Sequence, residues 1–444
     1  MTFDLAILGA GPAGAAAAVE ASLLGMRSLV IDEQVAAGGQ VYRASPPISS
    51  GDPDGDRLRA SLAGCSASVR LVHRLWNVER DDDGFRLLAI GPEGAFEARA
   101  PSLIVAAGAQ ERFVPFRGWE LPGVMGLAAA TILIKAQRLL PGRNVVVAGA
   151  GPLLYAVAHG ILDGGGRVVA LVDAQPRSAW WMPDLLSRPD LLVRGMSWLA
   201  ALRRAKVPIL RASVVDAVAR EGDGLSATVQ GRAIACDAVC CGFGLMPATD
   251  VTRLLGATHS FDAALGGWHV VVDDQQRCDV PGLYAAGDVA GIRGAASAPH
   301  QGRIAARAVA GAAIGSTRER DGASRFGVAM NRAAQVGDYV ISSIAPDVTM
   351  CVCERLPRSV IEAAIDDGCV TINDVKGATR CGMGPCGGRM CEDAVARLIA
   401  IKTSCTRKDV GMATGRPPLR PVALDAIAGD FDYEALPMPA PAPL

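Results

Sequence analysis

Short unbroken apolar runs separated by turns of small residues dominate the first half of the chain. Leu5-Ala6-Ile7-Leu8 is followed by Gly9-Ala10-Gly11-Pro12-Ala13-Gly14 and then by an alanine-rich stretch to Gly25. A short continuous apolar run reads as a strand buried on both faces of a parallel sheet, and the alanine-rich stretch reads as a helix. A second run, Ser28 to Ile31, ends on Asp32-Glu33 and completes a β-α-β unit. The pattern recurs from Asn144 to Asp173, with a strand at Val145-Val146-Val147, a turn at Gly149-Ala150-Gly151, a helix to Leu162 and a strand from Val168 to Val172. Between the two units, Leu75 to Val105 alternates polar and apolar positions around Asp81-Asp82-Asp83-Gly84 and Gly91-Pro92-Glu93-Gly94, which predicts a small antiparallel meander. Gly282 to Asp288 supplies one more short strand ending on a glycine and an acid, with a helix near Gly302 to Ala313. The expected architecture is α/β, with one nucleotide-binding domain (1–118 and 237–325) interrupted by a second (119–236).

After Ser359 the pattern changes to short helices. Ser359-Val360-Ile361-Glu362 fits a capping box and Gly368 a stop; a second helix is expected near Thr371 and a third from Arg389 to Ile401. These belong to a small domain over 340–405. The remainder, 406–444, is proline-rich and expected to be extended, as a strap, a frayed tail or a subunit contact.

Composition narrows the function. At 444 residues, half of them apolar, the chain has material for two or three cores. Aromatic residues are only 5% and the net charge is −1, which argues against the stacking platforms and basic surfaces of nucleic-acid binders. No apolar stretch reaches the eighteen or so residues of a membrane span. Met1-Thr2-Phe3-Asp4 runs straight into a strand, so the start reads as a fold element and not a secretory leader. Twelve cysteines in such a chain suit metal ligands and buried thiols better than disulfides. The expected compartment is the cytoplasm, with membrane association only through a partner.

The first glycine turn has the residues a dinucleotide needs. Gly9 permits the tight turn, Gly11 leaves room for a pyrophosphate and Gly14 lets helix and strand approach, while the helix start presents free amides. The acid that binds a ribose hydroxyl should come about twenty residues later; Asp32 and Glu33 both stand there, and Glu33 is favoured. The second turn has Leu154 at the third glycine position, which weakens a nicotinamide site, although Asp173 would suit an adenosine ribose. A degenerate fold element or a site for another adenine nucleotide remain as readings of Gly149, Gly151 and Asp173.

The late thiols carry the other chemistry. Cys351-Val-Cys353 and Cys381-Gly-Met-Gly-Pro-Cys386 can deliver two thiolates from each of two loops to an iron-sulfur cluster; structural zinc is the alternative that spacing alone leaves open. Cys369 and Cys391 are nearby spares, and Cys65, Cys236, Cys240, Cys241, Cys278 and Cys405 read as packing residues. No Cys-x4-Cys follows Gly38-Gly39-Gln40, so no disulfide-reductase dithiol is expected. His73, His159, His259, His269 and His300 lack metal spacing; His300 follows the Gly287-Asp288 segment and could lie near a cofactor bound there, but a surface or satisfied core histidine is the favoured reading. No substrate base is evident.

Six blocks carry a resemblance: Asp32-Glu33-Gln34, Gly38-Gly39-Gln40-Val41-Tyr42-Arg43, Ala107 to Arg112, Gly118 to Met125, Thr379 to Cys386 and Arg416 to Val422. In these the chain resembles the A, or alpha, subunits of heteromeric opine oxidases, hydrogen cyanide synthase and dye-linked proline or hydroxyproline dehydrogenases. The resemblance implies a glutathione-reductase-like flavoprotein with two dinucleotide-binding domains and a helical C-terminal [2Fe-2S] domain similar to bacterioferritin-associated ferredoxin. FAD would be held by Gly9, Gly11, Gly14, Glu33, Gly39, Gln40, Gly108, Gly287 and Asp288, and the cluster by Cys351, Cys353, Cys381 and Cys386. It also implies a glycine-oxidase-like beta subunit, in some relatives a small gamma subunit, FMN at a subunit interface, and ATP or NAD in the second nucleotide domain. The chain departs from the pattern at Leu154 and at Gly387, where glutamine is expected. The expected function is electron transfer from an amino acid, imino acid or opine oxidised on the partner. The alternatives are a self-contained NADH-dependent flavin reductase and a non-enzymatic partner-binding module.

Overall fold

A computed structural model describes residues 2–44 and 52–428 of the chain. The first sheet has five parallel strands in the order Leu283–Ala285, Leu103–Val105, Leu5–Leu8, Ser28–Ile31 and Ser68–Arg70. Leu5, Ala6 and Ile7 are wholly buried because both faces are covered. One face carries the helices Pro12–Leu23 and Ala298–Val309, the latter starting a few residues before its expected place. Their small facing residues allow near-contact of backbones: a Cβ on Gly302 would overlap the carbonyl of Ala13. Glu20 and Arg307 pair across the same helices at 2.6 Å.

The expected meander covers the other face as Arg74–Asp81, Gly84–Gly91 and Gly94–Ala100. Gly84 and Gly94 adopt φ of +125° and +103° at its turns, where a side chain would be strained.

The second sheet is also parallel, ordered Ile209–Arg211, Arg167–Asp173, Asn144–Ala150, Ala238–Phe243 and Val124–Met125. Ala238–Phe243 corrects the expected boundary at 236/237, because it pairs with Asn144–Ala150 from Val145↔Ala238 to Ala150↔Phe243. A buried apolar run does not announce which of two parallel sheets it joins. Asp237 fixes the register by accepting from the backbone amides of Arg143 and Asn144 at 3.0 and 2.7 Å. A second meander, Ala217–Glu221, Gly224–Val229 and Arg232–Cys236, precedes this strand. The two connections between the sheets run side by side as the antiparallel pair Ala109–Glu111 and Leu245–Pro247.

A helix at Arg318–Ala333 leads to the small domain, which holds the hairpin Thr349–Cys351 with Leu356–Pro357 and the helices Arg358–Asp366, Ile372–Thr379 and Glu392–Thr403. The capping box expected at Ser359 is not formed. That helix starts at Arg358 behind Pro357, and Glu362 pairs with Arg358 at 2.9 Å instead. The box stands one helix later: Thr371 accepts from the Asp374 amide and Asp374 from the Thr371 amide. Gly368, at φ +100°, ends the first helix as expected.

Beyond it the chain returns over the first domain, where the Leu419 amide donates to the Trp76 carbonyl at 2.7 Å, and a helix forms at Leu424–Ala428 within the stretch expected to be extended. The proline-rich residues 429–444 lie outside the described residues. No helix among the described residues is long and apolar enough to cross a membrane.

Candidate functional site

The first glycine turn forms a cradle that side chains would fill. Gly9 sits at φ +103° against the Ala106 carbonyl, and a Cβ on Gly14 would overlap the carbonyl of Gly9. Gly11 ends the strand side of the turn, and the helix beginning at Pro12 has neither a side-chain cap nor an acid in its first turn, leaving its amides for an anion. The Gly38-Gly39-Gln40 loop folds over the turn: the Gly38 amide donates to the Ala10 carbonyl at 2.9 Å, and a Cβ on Gly39 would stand 3.1 Å from the Gly11 Cα. Gly287 closes the far side, its amide donating to Gln301 Oε1 at 2.9 Å. Asp288 accepts from the amides of Arg293 and Gly294 through one oxygen, and burial raises its carboxyl above the ordinary range. Gly108, at φ +72°, has open space where its Cβ would be.

Of the two acids after the second strand, Asp32 is committed, accepting from the amides of Ala10 at 2.6 Å and Gln34 at 2.8 Å. Glu33 accepts no hydrogen bond among the described residues and has Arg74 at 3.8 Å, so it is not committed as Asp32 is. Arg43 was not singled out from sequence. It is buried, bonds Gln34 through Nη1 at 2.6 Å, and keeps Nε and Nη2 without a partner among the described residues. Buried N–H groups without hydrogen-bond partners are costly, so an acceptor at Nε and Nη2 is physically apt.

The second turn differs. A Cβ on Gly151 would stand 2.9 Å from Ala334, because the end of the Arg318–Ala333 helix packs over the turn. Asp173 is wholly buried and committed: Oδ2 accepts from Tyr155 at 2.6 Å and Arg211 at 3.1 Å, and Oδ1 from the Gln175 amide at 3.0 Å. It is therefore not presented to a ribose. Gln175 donates onward to the Gln335 carbonyl, and Tyr339 to the Ala174 carbonyl, which ties residues 334–339 over this edge. Leu154, expected to push helix from strand, is accommodated in the core beneath the turn.

A cavity of ≈ 710 Å3 opens between the two domains, with Asp288 and Arg293 on one side and Trp180, Arg194 and Arg211 on the other. Its wall includes Glu111, a second residue that sequence reading passed over. The carboxyl accepts from the amides of Leu127 at 2.9 Å and Ala128 at 3.1 Å and is 8% exposed. Burial pushes its pKa up to about 7, against the opposing pull of those two amides. Gly126 and Gly242 leave the space that its two oxygens occupy. His300 lies elsewhere, beside Arg303 and Glu319.

The late cysteines do converge. The sulfurs of Cys351, Cys381 and Cys391 lie within 4.8 Å of one another and all three residues are buried; among the described residues no other group offers a metal site. Cys391 was expected to be a spare, yet it stands in this group as the residue before the Glu392–Thr403 helix. Cys381 and Cys391 donate to Cys351, with the amides of Gly382 and Glu354 adding to them, and so hold the Cys351 thiol well below its usual range. Cys353 and Cys386 form a second, half-buried pair beside them, where Gly384 leaves room for the Cys353 side chain. Cys369 is not in the group.

Charged pairs fasten this domain to the flavoprotein-like body. Arg112, next to Glu111, bonds Asp393 at 3.0 Å with both side chains nearly buried, Arg253 pairs with Glu392 at 2.8 Å and Arg389 with Asp250 at 2.7 Å. Glu392 and Asp393 directly follow Cys391, so the thiol loop is held against the strand that lines the cavity.

Comparison with known proteins agrees with this arrangement. Residues 3–315 match the family "Pyridine nucleotide-disulphide oxidoreductase", and residues 350–430 match "Sarcosine oxidase A3 domain". The A subunit of opine oxidase from Rhizobium meliloti (strain 1021) is 33% identical, covering 96% of this chain and 98% of that protein. Hydrogen cyanide synthase subunit HcnB of Pseudomonas aeruginosa is 32% identical over 95% and 97%. The fold is shared with the L-proline dehydrogenase structure from P. horikoshii, at a TM-score of 0.73 and 17% identity, covering 96% of this chain and 79% of that one. The chain is an FAD-dependent oxidoreductase subunit, and it belongs to the pyridine nucleotide-disulphide oxidoreductase family, in the group that holds the opine oxidase A subunits and hydrogen cyanide synthase subunit HcnB.

Proposed function

We propose that this chain is the electron-carrying subunit of a heteromeric amino-acid, imino-acid or opine dehydrogenase. FAD would lie on Gly9, Gly11 and Gly14, with Glu33 toward the ribose, Gly39, Gln40 and Gly108 along the cofactor, and Gly287 and Asp288 at the far end. The open helix amides and the Arg43 Nε and Nη2 groups, which have no hydrogen-bond partner among the described residues, support an anionic cofactor there. The carrying observation is the convergence of five thiols in a domain clamped by Arg112–Asp393 to the cavity wall. Thiolates from two loops, with amides donating to sulfur, suit a [2Fe-2S] cluster on Cys351, Cys353, Cys381 and Cys386. Bound together, the two groups would accept an electron pair and release it singly.

Within this reading the residues have distinct tasks. Glu111 holds a proton at the cavity wall near neutral pH, Asp288 orders the Arg293–Gly294 backbone beside the cavity, and the clamps keep the thiol loop in place. The substrate would be oxidised on a glycine-oxidase-like partner, and a small gamma subunit would be a further component. The arginine-lined cavity suits a second anionic aromatic ligand, such as FMN at the partner interface or ATP. The committed Asp173 and the covered Gly151 count against NAD and hence against a self-contained NADH-dependent reductase. The test is native capture of the tagged chain from its own cells. Recovery of an amine-oxidising flavoprotein subunit, with amine-dependent dye reduction by the complex and none by the chain alone, supports the proposal; full activity of the isolated chain contradicts it.

A further inference from the structure

A smaller cavity of ≈ 260 Å3 lies where the second nucleotide domain meets the thiol domain. The rings of Phe113, Phe116, Trp119 and Phe243 line it from the nucleotide-domain side. Trp119 ties the two domains at this place: its indole Nε1 donates to the Thr349 carbonyl at 2.8 Å, and its ring stands 6.3 Å from that of Phe113 between centroids, tilted by 39°. The thiol domain contributes Val352 and Met390. Val352 stands between Cys351 and Cys353 in the chain, and Met390 directly precedes Cys391, so the cavity adjoins both thiol loops.

The wall restricts what can occupy it. Among the described residues Glu120 is its one charged group, and it is exposed, so a buried anion would find no counter-charge. Val352 is exposed as well, which puts the mouth beside these two residues. A cavity of about 150 Å3 accommodates benzene, and sites for larger ligands begin near about 300 Å3, so this one suits a single substituted ring. The wall's thiol, Cys241, is kept protonated because burial pushes it up, and a neutral thiol does not add to an electrophilic ring as a thiolate would. Gly126 also lines the cavity, and the space its Cβ would take is filled by the Glu111 carboxyl, which lines the ≈ 710 Å3 cavity; the two cavities are neighbours.

We propose that this ring-lined cavity is where a benzoquinone or naphthoquinone takes electrons out of the chain. The inference rests on the electron-carrying reading above and names the class of acceptor and its site. The quinone ring accepts two electrons, delivered one at a time through the thiol domain, and two protons from water at the mouth. Its two C=O groups become C–OH and it leaves as the quinol; the electrons are those removed from the amine on the partner. The aromatic walls hold the flat ring, and the thiol loops beside Val352 and Met390 keep the transfer distance short.

The test uses the complete complex, purified without oxygen and left oxidised. It is titrated in a calorimeter with a benzoquinone bearing one isoprene unit, and a second sample is irradiated with the azido form of that quinone and its labelled peptides are sequenced. One quinone should bind per chain, with label on peptides carrying Phe113 to Met125, Phe243 or Met390. Val124→Phe, which fills the cavity, should weaken binding about ten-fold or more, and Phe116→Leu, which removes a ring, about three-fold or more. Flavin absorbance and the reduced EPR spectrum report that each variant is folded and loaded. No binding, label confined to other peptides, or unchanged affinity in both folded variants overturns the proposal. So does a complex that binds the quinone here and, once reduced by its amine, leaves it unreduced. The electron-carrying reading fails by a different sign, the absence of a two-iron EPR signal from the unsubstituted complex, whereas quinone binding is measured on oxidised protein without that signal.

Discussion

Glu111 shows how one buried residue links fold to chemistry. Its pKa is raised from 4.5 to about 7, so the folded protein holds a proton that the unfolded chain releases earlier. The sign follows from linkage: the contribution to stability is fully present below pH 4.5 and is lost as pH rises through about 7. Glutamine cannot ionise, so Glu111→Gln should gain on the parent by about 3 kcal/mol between pH 4.5 and about pH 8 in denaturant unfolding. A constant gap across that range would show that the carboxyl does not titrate there.

Gly14 is equally exacting. Its missing Cβ is the space taken by the Gly9 carbonyl, so Gly14→Ala must push helix from strand, at a cost of about 2 kcal/mol or more. Bound flavin should fall with it, measured as the absorbance of the purified protein at about 450 nm relative to that at about 280 nm. Gly14 was legible from spacing alone. Arg43 and Glu111 were not, although both stand in blocks that carry the family resemblance, because a charge in a sequence does not disclose that it will be buried with N–H groups left without partners or beside a cavity.

Among the elements, the two β-α-β units and the first meander were readable because buried parallel strands are unbroken apolar runs and half-exposed strands alternate. The sheet membership of Ala238–Phe243 was not, since both sheets accept the same kind of run. The covering of the second turn was equally hidden: it depends on where the Arg318–Ala333 helix ends, which is a tertiary fact. Cys391 looked spare although Cys381-x4-Cys386 and Cys386-x4-Cys391 have the same spacing, because spacing alone does not choose between Cys381 and Cys391. The clamp between elements can be tested by removing one charge. Asp393→Asn leaves Arg112 buried without its counter-charge and should cost about 3 kcal/mol, with the small domain loosening first in hydrogen exchange. Arg117→Ala is the control, since its pair with Asp347 is exposed and should matter by less than about 1 kcal/mol.

At the scale of the whole molecule, one domain resembles a nicotinamide-binding unit without presenting its parts. Asp173 is tied to Tyr155, Arg211 and Gln175, and Ala334 stands over Gly151. Mixing the anaerobic protein with NADH in a stopped-flow spectrometer should therefore leave the flavin band unbleached during catalytic turnover times, while dithionite bleaches it. Rapid bleaching by NADH would restore the reductase reading. The joining of a two-electron carrier to a one-electron carrier in a single chain is tested most directly by an anaerobic dithionite titration with EPR at each point. About three electrons per chain are expected, two to the flavin and one to a two-iron cluster whose EPR signal grows with reduction. About two electrons, no such signal, and zinc or no metal on the thiols would contradict it.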